Sequence, residues 1–382
     1  MRAAALLGAG AALAAAAATR RLPRCLSRLG GLRPVCSTNA TTDVVDTPPA
    51  RKIKVALCQL SVGADKQGNL ATARSAIDEA ASAGADLVVL PEMWNCPYSN
   101  DSFPTYAEDV DAGESPSAAM LATAAADNRV VLVRRGGLGG SADNWTSGHP
   151  QVQHALGLLQ LAWCSLLLGV YCCWLGLCPP EPCLQVGGSI PERAKGGRLY
   201  NTCLVHGRDG RLLGRHRKVH LFDIDIPGKI TFKESLTLTP GEGLTVVDTE
   251  VGRLGIGICY DIRFPEMAML YAARGVQLIV YPGAFNMTTG PAHWQLLQQA
   301  RAVDNQLFVA TCSPARGEGP GYIAWGHSTA VGPFAEILGS TDEKPGIVYA
   351  EMDFAQLAER RANMPLRQQK RADLYALMDL TR

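Results

Sequence analysis

Short, nearly continuous apolar runs alternate with longer amphipathic stretches, and this alternation sets the fold class. Ile53–Gln59, Asp86–Leu90, Leu254–Cys259, Leu278–Tyr281 and Leu307–Cys312 are too short for free-standing helices and carry too little polar alternation for half-exposed strands. Runs of this kind are strands buried on both faces. Helical stretches lie between them. Asn69–Ala83 places Ala71, Ala73, Ile77, Ala80 and Ala81 on one side. Ser115–Asp127 is alanine-rich, with Ser115 as N-cap before Pro116. Pro265–Ala273 and Trp294–Asn305 follow the same pattern. Arg129–Val133 reads as a further strand, and Tyr200–His206 with Leu212–Lys218 as a hairpin about Asp209-Gly210. The order βαβαβ, ββ, βαβαβ describes an α/β protein in which strands are sandwiched against helices.

Three polar groups stand where such strands end. Cys259 closes Leu254-Gly255-Ile256-Gly257-Ile258 and precedes a helical segment. A helix N-terminus there would favour the thiolate, the nucleophilic form; the competing reading is a buried core thiol. Glu92 follows Asp86–Leu90 and Pro91, at the strand end where active-site groups of open α/β sheets gather. A carboxylate half-buried there can act as a general base, although a lone loop glutamate is more often solvated. Lys218 lies in Gly214-Arg215-His216-Arg217-Lys218-Val219-His220. It is expected to point inward as an oxyanion stabiliser with its neighbours in water; the alternative is a solvated basic turn.

Glu, Lys and Cys in this order, each at a strand end, resemble the nitrilase superfamily of carbon-nitrogen hydrolases. Leu90-Pro91-Glu92, Arg217-Lys218-Val219-His220-Leu221 and Gly257-Ile258-Cys259-Tyr260-Asp261-Ile262-Arg263-Phe264-Pro265-Glu266 are similar to its three catalytic blocks. The stretches Phe222–Ser235 and Pro282–Trp294, with Arg301–Asn305, Ser313–Arg316 and Trp325–Ser328, most resemble the omega-amidase branch. The similarity covers residues 53–133 and 187–378. It implies an α-β-β-α sandwich, a homodimer or larger homo-oligomer, and hydrolysis of the terminal amide of 2-oxoglutaramate or 2-oxosuccinamate through a cysteine thioester. Glu92 would be general base and acid, Lys218 the oxyanion cation and Cys259 the nucleophile. Glu234, in the Lys229–Ser235 stretch, would be a supporting second glutamate, against a surface residue beside Lys233. The Tyr260 N–H would complete the oxyanion site. Tyr98, Tyr260, Phe285, Asn286 and Thr288 are the pocket candidates. His293 and Trp294 read as the start of a packed helix, and His327 equally as structural or site histidine. Arg263 and Arg316 are the cations open to a distal carboxylate. The triad does not separate omega-amidases from carbamoyl-amine or carbamoyl-acid hydrolases or nitrilases. No metal or organic cofactor is expected, since nucleophile, base and electrostatic hole are protein groups.

Composition removes other classes. With 36 Lys and Arg against 35 Asp and Glu, the 382-residue chain carries a net charge of +1 and lacks the basic excess of a nucleic-acid binder. Five of its 12 cysteines crowd one segment, Cys164 to Cys183, and the rest are scattered, as reduced thiols are. Cys172 and Cys178 have no accompanying histidine pair with zinc spacing. Arg2, Arg20, Arg21, Arg24, Arg28 and Arg33 precede the first acid, Asp43, so residues 1–45 read as an organelle transit peptide and 46–382 as one hydrolase domain. Chloroplast is the expected destination, with mitochondrion the alternative and cytoplasm if the leader is absent. An atypical apolar insert at about 134–185 interrupts the domain. Ala155–Cys178 has no charged residue and is long enough to span a membrane, but a span there would tear the sheet between two catalytic blocks. The insert is better read as retained intron or aberrant splicing, which would leave open an inactive form that only binds.

Overall fold

The computed structural model describes residues 51–128, 183–228, 230–317 and 321–381. The leader, the strand expected at Arg129–Val133, Ala155–Cys178 and most of the insert lie outside them.

Two six-stranded sheets form the middle of the molecule. The first runs in the order β14-β1-β2-β3-β4-β5: Gly346–Asp353, Lys52–Gln59, Leu87–Val89, Leu184–Arg193, Leu199–His206 and Leu212–Arg217. The second runs β13-β12-β11-β10-β9-β8: Ile337–Ser340, Thr329–Val331, Phe308–Cys312, Leu278–Pro282, Gly252–Ile256 and Thr245–Thr249. A small hairpin, β6 (Asp223–Ile226) and β7 (Ile230–Lys233), stands apart from both. Strands β1, β2 and β3 are mutually parallel, as are β9, β10 and β11. Parallel pairs need covered faces, and alternation supplies the cover. Val55, Leu57, Leu87, Val89, Leu184 and Val186 turn toward the second sheet and share one core with Leu254, Ile256, Leu278, Val280 and Val309. Ala56, Cys58 and Val88 turn the other way, against α1 (Lys66–Ser82) and α3 (Pro116–Asp127), between which the chain forms the short α2 (Ser102–Tyr106). The outer face of the second sheet is covered by α4 (Pro265–Ala273) and α5 (Gly290–Asn305) through Met267, Ala268, Tyr271, Trp294 and Ala302. The layers are therefore α-β-β-α, as the resemblance implied.

The helix starts follow their side chains. Ser115 Oγ accepts from Ala118 N at 3.1 Å with Pro116 in the first turn, and Asp65 caps α1 in the same way. Three element boundaries move, two of strands and one of a helix. Leu254–Cys259 ends as a strand at Ile256, because the chain must turn out of the sheet to present Cys259. Helix α5 begins one turn before Trp294, where Asn286 Oδ1 collects the N–H groups of Thr288 and Thr289 at 3.0 and 2.9 Å. Strand β3 includes Leu184 and Gln185, the last residues of the expected insert, paired with Leu87 and Val88 of β2. After Asp353 the chain forms one short helix, α6 (Ala355–Asn363), carrying Arg360 and Arg361 in its last turn. There Arg360 is buried under Phe334, and Arg361 donates to Gln306 O at 3.0 Å. Those two cations are packed rather than solvated, while Arg367, Lys370 and Arg371 lie beyond the helix. No helix among the described residues is long and apolar enough to cross a membrane.

Candidate active site

Because β5 is parallel to β3 through two antiparallel steps, the C-terminal ends of β2 and β5 emerge on one edge of the first sheet. Glu92 follows the first and Lys218 the second. Cys259 follows β9 of the second sheet. All three are buried, as is Glu234.

Glu92 is held by the turn that carries it. Ser189 N donates to Pro91 O at 3.0 Å, Met93 N to Ser189 Oγ at 3.2 Å, and the Trp94 indole to Gly187 O at 2.7 Å. This approach requires glycine at 188: its φ is +60°, and a Cβ there would sit 2.2 Å from Pro91 O. Glu92 Oε1 accepts from Lys218 Nζ at 3.0 Å, Asn201 Nδ2 at 2.8 Å and Tyr98 OH at 3.3 Å. Its other oxygen, Oε2, is buried and has no hydrogen-bond partner. The expected half-buried carboxylate is thus fully buried, since the turn folds back under β3.

Lys218 Nζ lies 3.0 Å from Glu92 and 2.9 Å from Glu234. Burial opposes its charge, but Glu234 and then Glu92 outweigh that cost and hold its pKa above the usual lysine value. Glu234 heads a short 3-10 turn after β7. It takes Lys218 Nζ at 2.9 Å and Tyr98 OH at 2.7 Å on Oε1, and the Phe222 N–H at 2.7 Å on Oε2. Burial raises its pKa against the pull of Lys218. Tyr98 is kept a phenol by burial and by the two carboxylates it touches. The neighbours of Lys218 are only partly in water. Strand alternation turns His216 into the protein, while Arg215 and Arg217 grip the buried Glu192 from the other face at 3.0 and 2.6 Å.

Cys259 opens a 3-10 turn, Cys259–Arg263, with φ of +46°, a conformation that costs a side-chain-bearing residue about 1–3 kcal/mol. The expected thiolate is not favoured. Burial raises the thiol pKa well above its usual value and Glu92 adds to this; Lys218 and the Ala284 N–H pull the other way and do not compensate. The short 3-10 turn provides no aligned α-helical dipole at the sulfur, so the group is a thiol until a base removes its proton.

Around the sulfur stand aromatic rings and one cation. Tyr260 packs on Phe222 at 5.2 Å between ring centres and on Phe264 at 5.6 Å. The Arg263 guanidinium lies 4.7 Å from the Phe285 ring, 5.5 Å from Tyr260 and 3.2 Å from His293 Nδ1, and no carboxylate among the described residues pairs with it. Burial lowers its pKa, and the nearby Cys259 offsets this only in part. Arg316 instead donates to Trp325 O at 3.0 Å and stacks on that ring. Asn286 uses its carbonyl to cap the start of α5 and leaves Nδ2 buried without a partner; Thr288 belongs to the same turn. Trp294 is buried and donates to His327 O at 2.6 Å, while His327 stacks on Trp325, so both are packing groups.

Two features escaped the sequence reading. Tyr322 stacks on Tyr98 at 4.4 Å and donates to Ala284 O; its burial and the nearby Cys259, Glu92 and Glu234 keep it a phenol. It comes from a Gly- and Pro-rich loop without periodic signal. Asp261 binds His216 and His220; the spacing of those histidines about Lys218 was the available clue.

No group of three or more His, Cys, Asp or Glu among the described residues is arranged to hold a metal ion.

The chain matches the family model for carbon-nitrogen hydrolases in two blocks, residues 54–154 and 182–362. It is 53% identical over 337 residues to the chloroplastic omega-amidase of Arabidopsis thaliana, covering 88% of this chain and 77% of that one. It is 46% identical over 324 residues to omega-amidase NIT2 of Homo sapiens, covering 85% and 97%. Among solved structures it is similar to Saccharomyces cerevisiae Nit3, a member of branch 10 of the nitrilase superfamily, with a TM-score of 0.65, 37% identity and coverage of 84% and 97%. With its layers, its buried Glu-Lys-Cys edge and these relatives in agreement, the chain belongs to the carbon-nitrogen hydrolase (nitrilase) family.

Proposed function

We propose that this enzyme is an omega-amidase, acting on the terminal amide of short 2-oxo dicarboxylate monoamides such as 2-oxoglutaramate and 2-oxosuccinamate. The relatives named omega-amidase support the class. The observation that carries the chemistry is the free, buried Oε2 of Glu92, beside an Oε1 that is committed to Lys218, Asn201 and Tyr98. Glu92 takes the thiol proton, and Cys259 attacks the amide carbon. The oxyanion is met by Lys218 and by the Tyr260 N–H. An ammonium has three donors, and two carboxylates leave one for substrate. Glu92 then returns the proton to the leaving nitrogen, ammonia departs, and a water deprotonated by Glu92 splits the thioester to the acid. Glu234 and Tyr98 keep Lys218 and Glu92 in register. Arg263, half-buried and without an acid partner among the described residues, supplies the counter-charge for the distal carboxylate.

The test is ammonia release from 2-oxoglutaramate by protein lacking residues 1–42. Turnover that Cys259→Ala abolishes without unfolding supports the reading; turnover retained in that variant removes Cys259 as nucleophile.

Three further proposals concern the chain as a whole. Residues 1–45 act as a plastid-directing leader, which a fluorescent fusion in plant cells checks. The subunit pairs with a second copy; exposed Leu296, Leu374, Tyr375 and Leu380 support this, and sedimentation analysis tests it. The part of the insert ahead of Cys183 and β3, about 134–182, is not needed for catalysis, so a chain without it should release ammonia at least as fast.

A further inference from the structure

Among the buried carboxylates that take no part in the chemistry above, one lies in the nucleophile turn. Asp261 stands two residues after Cys259 and is wholly buried. Its two oxygens accept four hydrogen bonds. Oδ2 takes the Ile258 N–H at 2.9 Å and His216 Nε2 at 3.2 Å. Oδ1 takes the His220 N–H at 2.9 Å and His220 Nδ1 at 2.8 Å. The two histidines lie two residues before and two residues after Lys218. His216 is fixed in turn by Thr245 Oγ1, 3.0 Å from Nδ1. The His220 ring lies flat on Phe264, 3.6 Å away, at the far end of the nucleophile turn.

We propose that Asp261 is a positioning residue for acylation: gripped by His216 and His220, it clamps the turn that presents Cys259 to the strand end that presents Lys218. The bond from Ile258 closes the chain over Cys259 and holds its left-handed backbone. The bonds from the histidines fix the stretch on both sides of Lys218. Burial alone would push the Asp261 carboxyl up, yet the donors from His216 and His220 hold it well below the usual carboxylate range. Nucleophile and cation come from different sheets, and this clamp ties the two directly. Releasing it lets the reacting atoms drift, and a misplacement of about 1 Å costs on the order of 100-fold in rate.

The inference rests on the acyl-transfer reading of the site, and its test separates the two. His220→Ala removes the Nδ1 donor; His220→Asn puts an amide N–H in its place. For each, kcat and KM on 2-oxoglutaramate are measured beside the rate of Cys259 alkylation by iodoacetamide and the melting temperature. His220→Ala is expected to lower kcat by roughly 30-fold or more with KM changed less than about 3-fold, and His220→Asn to recover most of the loss. Asp261→Asn, which keeps one acceptor but faces donors with its amide, should resemble His220→Ala. If Asp261→Asn does not fold, the two His220 variants decide. A folded His220→Ala with kcat within about 3-fold of the parent, or a His220→Asn no better than it, overturns the clamp. A parent enzyme that releases no ammonia overturns the substrate reading alone. The alkylation rates then decide the clamp: altered in His220→Ala and restored in His220→Asn supports it, and unaltered overturns it.

Discussion

Glu92→Gln separates the base from the scaffold. The Oε1 of Glu92 accepts three hydrogen bonds, from Lys218, Asn201 and Tyr98, whereas Oε2 accepts none. A glutamine carbonyl at the Oε1 position keeps all three, and its amide nitrogen falls where Oε2 stood. Lys218 retains Glu234 at 2.9 Å, so its charge is not stranded. The cost in stability is therefore that of weakening one charge-assisted contact, about 1–3 kcal/mol. The cost in catalysis is the whole of general-base assistance. That is roughly 10²- to 10⁴-fold, or about 2.7–5.4 kcal/mol of barrier. Stopped-flow measurement of acyl-enzyme formation, with ammonia release in the steady state, should show both rates falling together while the melting temperature moves by only a few degrees. Glu92→Asp serves as the geometric control: it keeps the carboxylate but withdraws it by one methylene. A Glu92→Gln enzyme within about threefold of the parent in acylation would refute the assignment of the thiol proton to Oε2.

Lys218→Ala should lower kcat by roughly 10²- to 10³-fold, well beyond its effect on KM; an equal loss in both would make Lys218 a binding group only. Arg263→Met should raise KM for 2-oxoglutaramate by roughly 100-fold, the loss of a charge-assisted pair, and affect an uncharged amide far less; equal effects on both substrates would detach Arg263 from the carboxylate. His206, buried in β4 with Nδ1 unpaired, has its pKa pushed down by burial to about 4 from 6.5. Between those values the unfolded chain binds a proton that the folded one refuses, so stability falls with falling pH. The loss reaches about 2 kcal/mol by pH 5. His206→Leu should flatten denaturant-derived stability over pH 5–7 by about that amount; an unchanged slope would show that His206 does not set it.

The sequence conveyed the elements whose pattern is local. Pro265–Ala273 matched to the residue because Pro265 fixes its start and apolar residues fill its length. The Asp209-Gly210 turn followed because Gly210 adopts φ of +79°. Strands β8 and β12 to β14 carry no comparable pattern. They lie at and next to sheet edges, where half-exposed residues blur the alternation. The hairpin of β6 and β7 was named only as a resemblance, and its residues alternate between partly buried and exposed. At the site, Glu92 and Cys259 were legible because each follows an apolar run, and Lys218 because it stands in a basic stretch ahead of an apolar segment. Tyr322 was not, because loop residues enter a pocket by tertiary closure. The protonated state of Cys259 was misread because local helix geometry was weighed without burial, and burial is set by the opposite sheet.

The central claim is that Cys259 carries an acyl group handed over by Glu92 and steadied by Lys218. Acid-quenched single-turnover reaction with 2-oxoglutaramate, followed by peptide mapping by mass spectrometry, tests it most directly. The account predicts a thioester on the Cys259 peptide that rises with ammonia release, decays to free enzyme, and fails to form in Glu92→Gln on the same timescale. Ammonia release with no adduct, or an adduct on Cys96 or another thiol, would contradict it.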